Sequence, residues 1–150
     1  MRPTWPAHGG WKRRGPAMDA KPEPVLIDTS VWIDALRGRT PWVAASVRKL
    51  LEDDLAATCG PVLFEIRRGL KPPERKKVLP LFAALHRLPF DESDWESAGE
   101  LDASLRKAGH SLPSMDVLIA RLCLRDKAAL FTLDEHFKQV PGLRMARFAS

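Results

Sequence analysis

Apolar positions in this chain alternate between short continuous runs and spaced stripes, and the alternation begins at Val25. Val25-Leu26-Ile27 is a run of three, two of them β-branched, and predicts a short buried strand. Asp28 closes the run, and Thr29 or Ser30 can cap a helix that continues to Arg37. Pro41 and Trp42 open a second helix, where Val43, Val47, Leu50 and Leu51 form one stripe. Residues 55–59 are a strand candidate of small residues. Gly60-Pro61 then starts a helix, with proline in a first-turn position, and Gly69 ends it.

Pro72-Pro73 breaks the chain, and residues 74–85 read as a helix that Pro80 kinks or splits. Residues 86–90 are a strand candidate. An amphipathic helix follows over residues 91–108, with Trp95, Ala98, Leu101, Leu105 and Ala108 on its core face. Ser114 is the expected N-cap of the next helix, whose core face is Met115, Leu118, Ile119 and Leu122. Residues 128–132 predict a strand, 134–139 a short helix, and 143–148 a last strand. Strands and helices alternate throughout. That pattern is an α/β fold with a mostly parallel sheet covered on both faces.

Residues 1–24 do not share the pattern. They are rich in proline, glycine and basic residues without periodicity, and read as an extended or disordered basic tail ahead of a domain over 25–150. Trp5, Trp11 and Lys12-Arg13-Arg14 offer stacking and charge to a nucleic acid, or form a passive tail. Translation from Met18 would still yield the whole domain.

Composition narrows the setting. A chain of 150 residues, 45% hydrophobic, suits one domain with a real core. Its formal net charge of +5 is a mild pointer to a polyanionic partner. Cys59 and Cys123 lie in apolar contexts far apart, which suggests buried thiols in a reducing compartment. No apolar run approaches the roughly 20 residues of a membrane span, and the N-terminus has no secretory h-region. The expected location is the cytoplasm.

Most of the 19 Asp and Glu residues belong to the solvated surface. Four differ, because apolar residues flank them and each falls at the same edge of the predicted sheet: Asp28, Glu65, Asp116 and Asp134. Separations of 37, 51 and 18 residues exclude a local motif, so only the fold can unite them. Each acid alone is accounted for by helix capping. As a set in one cleft they repel, unless a cation neutralises them. Oxygen donors without a His or Cys set suit Mg²⁺ or Mn²⁺, which lower the pKa of bound water and can drive phosphoryl chemistry.

Four blocks then carry a resemblance. Asp28-Thr29-Ser30-Val31-Trp32-Ile33-Asp34, Phe64-Glu65-Ile66-Arg67-Arg68-Gly69, Asp116-Val117-Leu118-Ile119-Ala120 and Thr132-Leu133-Asp134-Glu135-His136-Phe137 resemble the signature blocks of PIN-domain ribonucleases. They are closest to the VapC-type toxins of bacterial toxin–antitoxin pairs. The resemblance runs in order from about Val25 to the C-terminus and leaves the first 24 residues uncovered. It implies a three-layer α/β/α sandwich, a Mg²⁺ or Mn²⁺ site, endonucleolytic cleavage of RNA, a cognate antitoxin and a homodimer. Carried over by position, Asp28 and Asp116 are the principal metal ligands. Glu65 and Asp134 complete the acidic cluster as further ligands or as orienters of the attacking water. Thr29, Ser30 and Thr132 match places where the family often has a hydroxyl near the metal. His136 departs from the pattern, since many members have a fifth acid there.

Basic side chains must offset the acids if RNA is to approach. Arg37, Arg39, Arg67, Arg68 and Lys71 are the best placed in sequence, with Arg75-Lys76-Lys77 and Arg121 behind them. Residues 31–36 and 78–85 offer apolar surface for a second copy or an antitoxin, or else simple core packing. The competing reading is a non-catalytic PIN-like module that binds RNA or protein; it calls for a missing acid, and all four are present. A haloacid-type phosphotransfer domain calls for a second Asp at position 30, where this chain has Ser30.

Overall fold

The computed structural model describes residues 23–148. Its elements in chain order are β1 (Val25–Ile27), α1 (Thr29–Leu36), α2 (Pro41–Glu52), β2 (Ala56–Cys59), α3 (Gly60–Gly69) and α4 (Pro72–Ala83). There follow β3 (His86–Leu88), α5 (Glu92–Lys107), α6 (Ser114–Asp126), β4 (Ala129–Phe131) and a 3₁₀ helix (Glu135–Gln139). The tail expected over residues 1–24 lies, but for its last two residues, outside the described residues.

The strands form one parallel sheet in the order β3-β2-β1-β4. From β1 the chain winds outward through β2 to β3, then crosses back to lay β4 on the far side of β1. The winding direction therefore reverses between β1 and β4. In an open parallel sheet the crevice at such a reversal, beyond the carboxyl ends of the strands, is where ligands bind. Here those ends carry Asp28 and Thr132, and the Asp28 amide donates to the Phe131 carbonyl at 2.9 Å to hold them together.

The strands are short and apolar because they are covered on both sides: Leu26, Ile27, Ala57, Cys59, Leu130 and Phe131 are all buried. Trp32 of α1 is the largest buried side chain and packs at 4.7 Å, tilted by 50°, against Phe82 of α4. Cys59 and Cys123 are free and buried. Burial pushes the Cys59 thiol up to about 12, so it is a packing residue and not a nucleophile.

Several local expectations are corrected. Pro72 and Pro73 do not precede a helix; they begin α4, where a missing N–H costs nothing. Pro80 neither splits nor ends α4. It and Lys76, four residues back, are both exposed, so the carbonyl that loses its donor is left to water. Ser114 is the first residue of α6, and Pro113 holds the cap position. The strand expected over 143–148 is reduced to a single parallel bridge between Met145 and Leu130.

The largest correction concerns α5. Its inward face is Asp94, Ala98 and Leu105, and Trp95 is 57% exposed, leaning on Phe90 at 4.8 Å. Asp94 is wholly buried because Arg121 and Arg125 of α6 pair with it, Arg121 Nε at 3.3 Å from Oδ1. Arg125 also donates to the Pro89 carbonyl at 2.6 Å and to Asp126 at 2.9 Å. Ala98 and Leu105 keep the buried places expected of them and Leu101 packs against the core, while the paired carboxylate of Asp94 takes the place expected for Trp95 and Ala108 is exposed.

Candidate active site

Asp28 follows the last residue of β1 and holds the N-cap position of α1. A capping role would have its side chain bonded to the first-turn amides, and it makes no such bond. Instead two hydroxyls converge on one carboxylate oxygen. Ser30 donates to Oδ2 at 2.7 Å, and Thr132, just beyond β4, donates to the same atom at 2.8 Å. The carboxylate is 4% exposed. Burial without full hydrogen bonding would cost several kcal/mol, so these donors are what allow an acid to sit there.

The chain after β4 is tied into the same cluster. Leu133 donates its amide to Ser30 Oγ at 3.2 Å, and Asp134 donates its amide to Thr132 Oγ1 at 3.0 Å. Asp134 Oδ1 then accepts the His136 amide at 3.0 Å and contacts the His136 ring through Nδ1. Asp134 is thereby the cap of the 3₁₀ helix and also a member of the acidic cluster.

Asp116 arrives from α6, in its first turn, and Glu65 from the middle of α3. Their electrostatics report the convergence. The Asp116 carboxyl is raised to about 7, first by burial, then by Asp28, Asp134 and Glu65, with His136 opposing. The Glu65 carboxyl is also raised, first by burial and then by Asp28, while Thr29 and Arg68 oppose. Thr29 Oγ1 is buried and makes no hydrogen bond of ordinary length among the described residues, yet it lies near enough to favour the ionised Glu65. The charges of Asp28, Asp134 and Glu65 thus all reach Asp116.

The donor set fits a hard divalent cation. All the acidic groups offer oxygen, Asp28 raises the pKa of both Asp116 and Glu65, and the Thr29 hydroxyl lies beside Glu65. Among the described residues no three His, Cys, Asp or Glu side chains enclose an ion by themselves. A hard divalent cation can keep waters and needs only one or two carboxylates along with substrate oxygens. The N-termini of α1 and α6 add favourable dipoles for the carboxylates beside them.

The basic candidates divide. Arg68 is near enough to Glu65 to lower its pKa, and Arg67 and Lys71 follow at the end of α3 and the cap of α4. Arg37 ends α1, which runs about 12 Å away from Asp28, and pairs with Glu74 at 3.6 Å. Arg39 lies in the same exposed connection. Arg121 is committed to Asp94, and Arg75 donates to the Arg67 carbonyl at 3.0 Å. Of the apolar segments, 31–36 is core except for the exposed Leu36, whereas in 78–85 only Val78 and Phe82 are buried and Pro80, Leu81, Ala83 and Ala84 are exposed. A cavity of about 300 Å³, lined by Glu23, Lys127 and Arg144 among others, lies at the opposite edge of the sheet from the acids. Nothing in the sequence marks Asp94, because an acid one position from an apolar stripe looks like solvated surface.

The PIN domain family model matches residues 25–143, which spans every element from β1 to the 3₁₀ helix. The chain belongs to the PIN-domain family. Ribonuclease VapC11 of Mycobacterium tuberculosis is 31% identical to this PIN domain over 131 residues, covering 84% of this chain and 98% of the relative. Among solved structures, VapBC2 from Rickettsia felis bound to a DNA fragment from its promoter aligns with a TM-score of 0.68 and 21% identity, over 83% of this chain and 98% of that one. DNA-bound VapBC from Salmonella typhimurium aligns with a TM-score of 0.70 and 19% identity, over 83% and 97%. At these identities the two structures share the fold.

Proposed function

We propose that this PIN domain is a Mg²⁺- or Mn²⁺-dependent endoribonuclease that acts as the toxin of a toxin–antitoxin pair. What supports the reading is the Asp116 carboxyl, raised to about 7 by burial and then by Asp28, Asp134 and Glu65, together with the Thr132–Asp28 bond that ties the ends of β1 and β4. Its VapC11 relative is called a ribonuclease, and VapBC assemblies share its fold, which supports a cognate antitoxin as partner. No helix among the described residues is long and apolar enough to cross a membrane, which is consistent with a cytoplasmic site of action.

Asp28 and Asp116 are the groups that would hold the cation. When bound, it lowers the pKa of a water and offsets charge developing on the phosphate. Ser30 and Thr132 fix the Asp28 carboxylate through Oδ2, so its orientation is set before substrate arrives. Glu65 and Asp134 would accept hydrogen bonds from the attacking water and orient it. The Asp134–His136 contact and the Thr132–Asp134 bond keep the last acid from swinging out. A homodimer is part of the same proposal. Incubating the purified chain with a long RNA and mapping new 5′ ends tests it, with Asp28→Asn as control. Cleavage in Mg²⁺ or Mn²⁺ that stops in EDTA is the expected result. Absence of cleavage with either ion, or cleavage undiminished by EDTA, overturns it.

A further inference from the structure

The outward face of α3 leads away from the acids as a strip of unlike character. Gly60 begins it with open space where a side chain would stand. Phe64 comes one turn later, and its side chain is 52% exposed. Arg68 follows after another turn, with its guanidinium 5.5 Å from the Phe64 ring centroid. Arg67 and Lys71 flank it, and neither they nor Arg68 joins an ion pair among the described residues. Phe64 adjoins Glu65, and Arg68 lies close enough to Glu65 to lower its pKa, so the strip borders the acidic cleft.

A large aromatic side chain left in water one residue from a catalytic candidate has no folding role to explain it. An apolar partner helix would want several neighbouring hydrophobic side chains, and along this face of α3 Phe64 is preceded by Gly60 and followed by Arg67, Arg68 and Lys71. Cations interleaved with an aromatic face fit a single-stranded nucleic acid, whose bases stack and whose phosphates pair with the charges. We propose that Phe64 and Arg68 form a stacking subsite for one unpaired base of the substrate, adjacent to the scissile phosphate. The base lies on the Phe64 ring, Arg68 backs the ring and meets the neighbouring phosphate, and Arg67 and Lys71 hold the strand beyond it. The proposal rests on the ribonuclease reading above.

The test uses the full chain and a mixed-sequence RNA 12-mer carrying 2-aminopurine at successive positions, with Ca²⁺ in place of Mg²⁺. Binding is read by anisotropy and stacking by 2-aminopurine quenching. Phe64→Ala should weaken binding about tenfold and abolish quenching at one position, and Phe64→Trp should restore both. Arg68→Ala should also weaken binding and reduce the salt dependence by about one phosphate contact. Melting temperatures close to wild type in the Phe64 variants keep the comparison fair. Unchanged affinity and quenching in Phe64→Ala overturn the proposal. So does a change in oligomeric mass with RNA binding intact, which would make Phe64 a protein contact. If wild type cleaves RNA while Phe64→Ala is indifferent, the subsite falls and the nuclease stands. If the quenching appears and no RNA is cleaved, the nuclease reading falls instead.

Discussion

Thr132 donates to Asp28 Oδ2 at 2.8 Å across 104 residues of chain, and that bond joins the two strand ends on either side of the sheet's reversal. Its hydroxyl also accepts from the Asp134 amide, so one side chain fixes two of the four acids. Thr132→Val keeps the shape and removes both bonds. Loss of a second bonding layer of this kind typically costs 10- to 100-fold in metal affinity or activity. We expect a shift of that order in the Mg²⁺ concentration for half-maximal cleavage, with about 1–3 kcal/mol lost in denaturant unfolding. Cleavage at the wild-type Mg²⁺ requirement would show that Asp28 needs only Ser30.

Asp28→Asn and Asp116→Asn each remove a charge at nearly constant volume. Both should abolish cleavage while leaving the circular dichroism spectrum unchanged. Without metal, Asp116→Asn should melt at or above the wild-type temperature, because Asp28, Asp134 and Glu65 all repel an ionised Asp116. An unfolded variant would make the residue structural, and a fully active one would make it peripheral.

The sheet and the helix order were legible because each is written in local signals, and the four acids stand out in sequence through the apolar residues that flank them. Val25-Leu26-Ile27 ending at Asp28 reads as a strand leading to a site, and Ala129-Leu130-Phe131 before Thr132 reads the same way. What was not legible depended on long-range pairing. Nothing near Asp28 announces that Thr132 will bond to it. Nothing near Asp94 announces two arginines arriving from α6, and so Trp95 reads as the core residue where Asp94 is. The Met145–Leu130 bridge failed to grow into a strand for a related reason: β-propensity at 143–148 states a preference, while pairing needs an edge long enough to receive it.

The Asp94 cluster makes its own prediction. Removing one member of a buried ion network leaves the others uncompensated, at about 3–5 kcal/mol. Asp94→Ala should therefore be strongly destabilising in urea, and Asp94→Asn, which keeps the hydrogen-bond acceptor, less so. Because α6 carries Asp116 at one end and Arg121 and Arg125 nearer the other, the surviving Asp94→Asn protein should also bind Mg²⁺ more weakly. A variant with wild-type stability would mean that Arg125 is held adequately by Asp126 and the Pro89 carbonyl alone.

The raised carboxyl of Asp116 fixes the sign of a pH effect. An unfolded aspartate releases its proton near 3.8, whereas Asp116 in the fold holds its proton to about 7. Between those values the native state binds more protons than the unfolded chain, so stability falls as pH rises through the window. The contribution is fully present below the unfolded value and is lost above about 7. Glu65, also raised, adds in the same direction. A divalent cation competes with the proton for the same site, and it binds the ionised form. Its stabilising effect should therefore be small at pH 5 and large at pH 8, where Mg²⁺ replaces the lost proton. Melting curves in EDTA and in saturating Mg²⁺, taken from pH 5 to pH 8 for wild type and Asp116→Asn, decide the point. Wild type in EDTA should lose stability with rising pH more steeply than Asp116→Asn, and Mg²⁺ should flatten the wild-type slope. Equal slopes in the two proteins would mean that Asp116 is not the group that titrates, and a Mg²⁺ effect independent of pH would place the cation away from these acids.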